Sequence, residues 1–184
     1  LCPQGEYTQL LEESGFRVLS VPIQRHGVNP LIEGLLLQRL KQIYKHEKPD
    51  IVHHFTLKCN IYGSLAARSS DVNKIINSIT GLGYVFAGKK FIIRILQKLI
   101  KFFLRRALAG TSVLFQNPDD QREFIQEHLI VPEQCTLIRS SGVDLELFSI
   151  KPEPEGIPQV LLAGRLLVDK GIFEFVQASQ LLKT

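Results

Sequence analysis

The chain has 184 residues, of which 45% are hydrophobic and 22% charged, the balance of a globular protein and not of a disordered segment. Its net charge of +4 is modest for a nucleic-acid binder, and no strand carries a base-stacking pattern of aromatics. Cys2, Cys59 and Cys135 are odd in number and far apart, so neither a disulfide framework nor a zinc site is indicated and a reducing, cytosolic setting fits best.

Leu1-Cys2-Pro3 reads as the tail of a strand, and with no Met anywhere the sequence reads as a fragment cut at both ends. No signal peptide is visible, and no apolar run approaches the roughly 18 residues of a spanning helix. Residues 6–14 are predicted helical and stop at Gly15; residues 17–21 are strand-like and end at Pro22. In the helix predicted over 30–46, Leu36, Leu40, Ile43 and Tyr44 share one face, and Pro49 ends it because proline disfavours a helical residue before it. Strands are predicted over 50–55, 74–79, 112–115 and 135–138. Helices are predicted over 62–68, 89–107 and 119–128. Strands apolar on both faces, alternating with helices, predict an α/β fold: a Rossmann-like parallel sheet with helices on both faces. Pro152, Pro154, Gly156 and Pro158 form a stiff linker. The expected organisation is a domain over 1–150, a linker over 151–158, and a second, truncated α/β unit from 159 with one strand and one helix (172–183).

In such sheets ligands bind at the carboxyl ends of the strands. The candidates there are His53 and His54 with Thr56 and Lys58; Thr80, Gly81 and Gly83; Asn117; and Gly142. Adjacent histidines point to opposite faces of a strand, so at most one faces a cleft. Asn117 has a second reading as a helix cap, and Gly142 as a turn residue. The 81–83 loop lacks the G-x-G-x-x-G spacing of a dinucleotide site.

The densest signal is the run 160–171. An apolar strand turns at Gly164, and Arg165 and Lys170-Gly171 flank a short loop entering a helix. Two cations beside a helix N-terminus suit a diphosphate, because guanidinium, ammonium and unpaired backbone N–H groups all favour anionic oxygens. A surface loop with two solvated charges is the other reading.

Pro49-Asp50-Ile51-Val52-His53, Thr80-Gly81-Leu82-Gly83, Gly142-Val143-Asp144 with Phe148, and Gly164-Arg165-Leu166 followed by Asp169-Lys170-Gly171 together resemble glycosyltransferase family four over nearly the whole chain. The resemblance implies a retaining, nucleotide-sugar-dependent enzyme of the GT-B fold, moving a sugar to a lipid-linked or polysaccharide acceptor in cell-surface glycan biosynthesis. It implies that the first domain binds the acceptor and that Arg165 and Lys170 hold the donor diphosphate, with no metal or cofactor; no Asp-x-Asp metal motif is present. The chain departs from the family's His-x-His, since Phe55 stands at the second histidine position. The family's Glu-x7-Glu motif, which contacts donor sugar and ribose, is expected beyond residue 184, so the chain alone is expected to be inactive. The alternatives are a non-catalytic membrane-docking module of the same fold and a nucleotide-sugar epimerase.

Between Asp71 and Asp119 no acidic residue occurs. The helical segment contains Lys89, Lys90, Arg94, Lys98, Lys101, Arg105 and Arg106, with Arg94, Lys98, Lys101 and Arg105 aligned on one face. Such a helix, with apolar and aromatic residues on its other faces, predicts either docking on anionic lipid or a core-packed helix with a solvated basic side. The localisation expected from these features is cytoplasmic, peripheral on the inner face of the plasma membrane.

Overall fold

The computed structural model describes residues 1–3, 5, 7–24, 27, 29–81, 91–139, 142–152, 155–164, 166 and 168–182, with backbone alone at 91–95 and 169. It divides into two compact units, Leu1–Gly142 and Val143–Thr184.

Unit 1 is built on four parallel strands, β1 (Ile51–Phe55), β2 (Lys74–Ile79), β3 (Ser112–Phe115) and β4 (Cys135–Leu137), adjacent in chain order. Around them lie α1 (Tyr7–Glu13), α2 (Pro30–Glu47), α3 (Leu57–Arg68), α4 (Phe91–Leu108) and α5 (Pro118–Gln126). Each of α3, α4 and α5 connects one strand to the next, the connection a parallel pair requires. The register is continuous, from Ile51 opposite Lys74 in the first pair to Phe115 opposite Leu137 in the last. The result is a Rossmann-like α/β domain.

α2 follows from its sequence. Asn29 caps it, its side chain accepting from Leu31 N–H at 3.0 Å, and Pro30 opens the first turn, where a missing N–H costs nothing. Leu36, Leu40 and Tyr44 are buried on the predicted face, packing with Val21, Val52, Ala66 and Ala67. A second core gathers Ile61, Ile79, Leu104, Leu108, Val113, Phe115 and Phe124. The Phe115 and Phe124 rings meet edge to face, 5.3 Å between centroids, a favoured geometry for their quadrupoles.

Three expectations are corrected. Residues 17–21 form no ladder, only a parallel bridge between Cys2 and Ser20 with Cys2 N–H donating to Leu19 O and Val21 N–H donating to Cys2 O. The partner alongside is short, and Pro3 has no N–H to continue it. β1 is not buried on both faces: Val52 and His54 point inward while Ile51, His53 and Phe55 are exposed. α3 begins five residues before the prediction, because Thr56 turns the chain directly from β1 into the helix.

Unit 2 holds a 3-10 turn (Val168–Lys170) leading into α6 (Ile172–Leu181). The strand expected over 160–163 is not formed, and Val160 and Leu161 are exposed. A parallel strand needs a neighbouring strand to satisfy its backbone, and among the described residues of this unit there is none.

Candidate functional site

The C-terminal ends of the four strands lie in a row along one edge of the sheet, spanning about 14 Å at the usual inter-strand spacing. From this edge emerge Thr56 after β1, Thr80 and Gly81 after β2, Asn117 after β3, and Gly142 beyond β4.

Thr56 carries the sharpest turn. Its φ of 72° and ψ of 150° lie in a region that L-residues avoid, a strain of roughly 1–3 kcal/mol. The turn is clamped from both sides: Asn60 N–H donates to Thr56 O at 2.9 Å, and the fully buried Asn60 side chain donates to Ser78 O at 3.0 Å. Thr56 thereby stands exposed at the strand end, its hydroxyl not consumed by capping α3.

The two histidines part as the pleat requires. His53 is on the open face of β1, with Nε2 2.8 Å from Ser78 Oγ and its ring 4.2 Å from that of Phe55. His54 is buried in a closed polar network. Asn77 donates through Nδ2 to Thr111 Oγ1 (3.1 Å), and that hydroxyl donates to Leu108 O. The amide oxygen of Asn77 is therefore the acceptor left for Ser64 Oγ (2.9 Å) and His54 Nδ1 (3.0 Å). His54 Nε2 in turn accepts the Tyr44 hydroxyl proton at 3.0 Å. Each partner has one role, which specifies the neutral Nδ1–H tautomer. Burial lowers the His54 pKa below 6.5, partly offset by the Asn77 hydrogen bond, and pushes Tyr44 up to about 12. His54 is thus a core residue of the sheet.

Lys58, in the first turn of α3, has its three N–H donors engaged: Gln24 O at 2.7 Å, Gly27 O at 3.1 Å and Glu33 Oε1 at 2.6 Å. It fastens the segment before α2, and α2 itself, to α3. Tyr62 stands beside this pair; burial first, then the Glu33 carboxylate, raises its phenol pKa. Asn117 is equally committed. Its Oδ1 accepts from Asp120 N–H at 2.8 Å while Nδ2 donates to Asp120 Oδ2, capping α5. Among the described candidate residues that follow the strands, Thr56 and Thr80 keep exposed side chains, beside the exposed backbone of Gly81 (φ 146°) and Gly142 (φ 75°). Gly83 lies outside the described residues.

A groove of about 410 Å³ is lined by four consecutive residues of β1, 52 to 55, together with Leu19 and Leu40. Consecutive residues point to alternating faces, so a groove touching all four runs along the strand's edge, which no described strand pairs. A largely apolar slot beside unpaired strand backbone suits an extended chain.

In unit 2, Lys170 is exposed in the turn before α6, and Gly171 at φ 73° starts the helix without a side-chain cap. The first-turn N–H groups remain open to an anion. Arg165 lies outside the described residues.

The basic helix differs from its prediction. Lys101 pairs with Glu127 at 2.8 Å, and Arg105 donates to His128 O and Glu127 O at the end of α5, where a cation complements the helix dipole. These two serve the fold. Lys98 and Arg106 are exposed, whereas Lys89, Lys90 and the Arg94 side chain lie outside the described residues. Among the described residues no cluster of His, Cys, Asp or Glu is arranged to hold a metal, and no helix is long and apolar enough to cross a membrane.

A four-stranded parallel sheet flanked by helices, with its loops open along one edge, is a Rossmann-like α/β architecture. The chain belongs to the glycosyl transferase 4-like family, which matches residues 1–117. It is 27% identical, over its whole length, to the N,N'-diacetylbacillosaminyl-diphospho-undecaprenol alpha-1,3-N-acetylgalactosaminyltransferase of Campylobacter jejuni, covering 52% of that protein. It is 26% identical over 96% of its length to the UDP-Gal:alpha-D-GlcNAc-diphosphoundecaprenol alpha-1,3-galactosyltransferase of Escherichia coli, covering 47%. The chain thus spans about half the length of these relatives.

Proposed function

We propose that the protein containing this chain is a glycosyltransferase that moves a sugar from a nucleoside-diphosphate donor to a lipid-linked acceptor at a cytoplasmic membrane surface. Family membership across residues 1–117 carries this reading, supported by two relatives whose named acceptors are both sugars on a diphospho-undecaprenol lipid. Residues 1–150 act as the acceptor domain of a GT-B enzyme, and the unit beginning near 159 as the start of the donor domain.

On the acceptor side, His53, Thr56, Thr80, Gly81 and Gly83 offer ring nitrogen, hydroxyl and backbone groups to sugar hydroxyls. On the donor side, Arg165 and Lys170 grip the diphosphate beside the α6 N-terminus. As the bond between the anomeric carbon and the diphosphate oxygen breaks, negative charge grows on the departing nucleoside diphosphate. Two cations and open backbone N–H groups stabilise that charge more than they stabilise the ground state, the role a metal plays in other enzymes. The acceptor hydroxyl then bonds to the anomeric carbon with retention of configuration and releases its proton.

The test is sugar transfer by the full-length enzyme to a polyprenyl-diphosphate-linked acceptor. Arg165→Ala or Lys170→Ala is expected to lower kcat by roughly 10²–10³, the scale of losing one transition-state charge stabiliser. Wild-type turnover in both variants would remove the assignment.

A further inference from the structure

Phe55 is the last residue of β1, and it is 52% exposed where the strand ends. Its ring is held in place all the same. It lies 4.2 Å from the His53 ring at an interplanar angle of 34°, because alternate residues of a strand share a face. The His53 imidazole is fixed in turn by its Nε2, 2.8 Å from the Oγ of Ser78, a residue only 6% exposed. Ser78 is also the ladder partner of Phe55 in β2. Phe55 thus tops a short stack rooted in the neighbouring strand. The next residue, Thr56, turns the chain at φ 72° and keeps its side chain exposed. His53 Nδ1 has no hydrogen-bond partner among the described residues.

We propose that Phe55 is a substrate-binding residue, the platform on which the sugar ring of the lipid-linked acceptor stacks. A pyranose has a face of C–H groups and a rim of hydroxyls. The C–H groups carry partial positive charge and suit the negative face of an aromatic ring. The hydroxyls need donors and acceptors at the margin of that ring, which is where Thr56 Oγ1 and His53 Nδ1 stand. An exposed aromatic beside a few polar groups is the composition of a small-molecule site. A phenyl ring has neither donor nor acceptor, so Phe55 recognises the C–H face and leaves the hydroxyls to its neighbours. The stack beneath it limits the motion that binding would have to arrest, which favours affinity. The proposal rests on the glycosyltransferase reading for the identity of the ligand.

The experiment is steady-state transfer by the full-length protein to a panel of water-soluble alkyl-diphosphate-linked hexoses and N-acetylhexosamines, with UDP-sugars as donors. Phe55→Leu keeps an apolar side chain and removes the aromatic face. It is expected to raise the acceptor KM about tenfold. Its kcat and donor KM stay within about twofold of wild type, because the ring touches the sugar equally in the ground and transition states. Phe55→Tyr, which keeps a stacking face, recovers most of the loss. An acceptor KM unchanged in Phe55→Leu overturns the proposal while the enzymatic reading stands. So does a lowered urea midpoint in Phe55→Leu, because the ring is then covered by protein and not by substrate. Absence of transfer to every acceptor by wild type removes the enzymatic reading, and the proposal with it.

Discussion

His54 and Gly63 show how one residue identity constrains another. A Cβ on Gly63 would sit 2.5 Å from His54 Cδ2 and Nε2, so the ring can occupy its place only because α3 has glycine there. Once seated, the imidazole must be neutral: its Nε2 has to accept from Tyr44, and burial disfavours its charge. The lowered folded-state pKa sets the sign of a pH effect. Between the unfolded value near 6.5 and the lower folded value, the unfolded chain binds more protons, so stability rises with pH across that window. This contribution is complete above the unfolded pKa and lost as pH falls through the window toward the folded pKa. Urea midpoints measured from pH 7.5 down to 5 should therefore fall more steeply for wild type than for His54→Gln, after correction for the variant's lower baseline. Parallel slopes would show that His54 does not titrate as the buried network requires. The sequence placed the two histidines on opposite faces. It did not say which face was buried, because that depends on Asn77 and Thr111, 23 and 57 positions away.

At the scale of elements, the strand ends are organised by ties the sequence does not announce. Lys58 looks like a cleft cation because it follows a strand, yet its ammonium is spent on Gln24, Gly27 and Glu33. Glu33 lies three residues into α2, where an acidic side chain reads as an ordinary first-turn residue favoured by the dipole. Its 7% exposure is set by the packing of α2 on α3, which periodicity cannot foresee. Removing one partner of such a pair leaves a buried charge uncompensated, a cost of about 3–5 kcal/mol, whereas removing both is far milder. Lys58→Met should therefore destabilise by that order, and Lys58→Met with Glu33→Leu by clearly less, as read from a double-mutant cycle in urea. If the double variant is as unstable as the sum of the singles, the tie is not a coupled pair. The helices and strands themselves were legible wherever local pattern decides, as in the buried row Leu36, Leu40 and Tyr44 and in β2 and β3. The start of α3 was not legible, because Thr56 adopts a positive φ that its residue type disfavours and only Asn60 and Ser78 enforce.

At the scale of the whole molecule, the two units differ in how completely they bury their own apolar residues. Leu1–Gly142 contains two hydrophobic cores beneath a four-stranded ladder. Among its described residues Val143–Thr184 has no buried side chain, and Leu161, Leu166, Phe173, Leu181 and Leu182 are each more than 60% exposed. The diphosphate motif was read from residue types and spacing, which survive without a sheet. The strand at 160–163 was read from four consecutive apolar residues, and such a run becomes a strand only when neighbours take up its hydrogen bonds. Ten residues of α6 without a packed face are below the length at which an isolated helix is stable in water. Opening of α6 should then cost far less than opening of the sheet, since protection follows buried contacts and not hydrogen bonds alone. Hydrogen exchange on this chain tests it directly. Amides in Ile172–Leu181 should exchange close to the rate of unstructured peptide, while those of β2 and β3 are protected by orders of magnitude. Comparable protection in α6 and the central strands would show that unit 2 is stabilised by something other than its own burial. The same outcome would mean that the Lys170–Gly171 turn is preorganised in this chain, and a diphosphate site built on it would not need further structure to hold its shape.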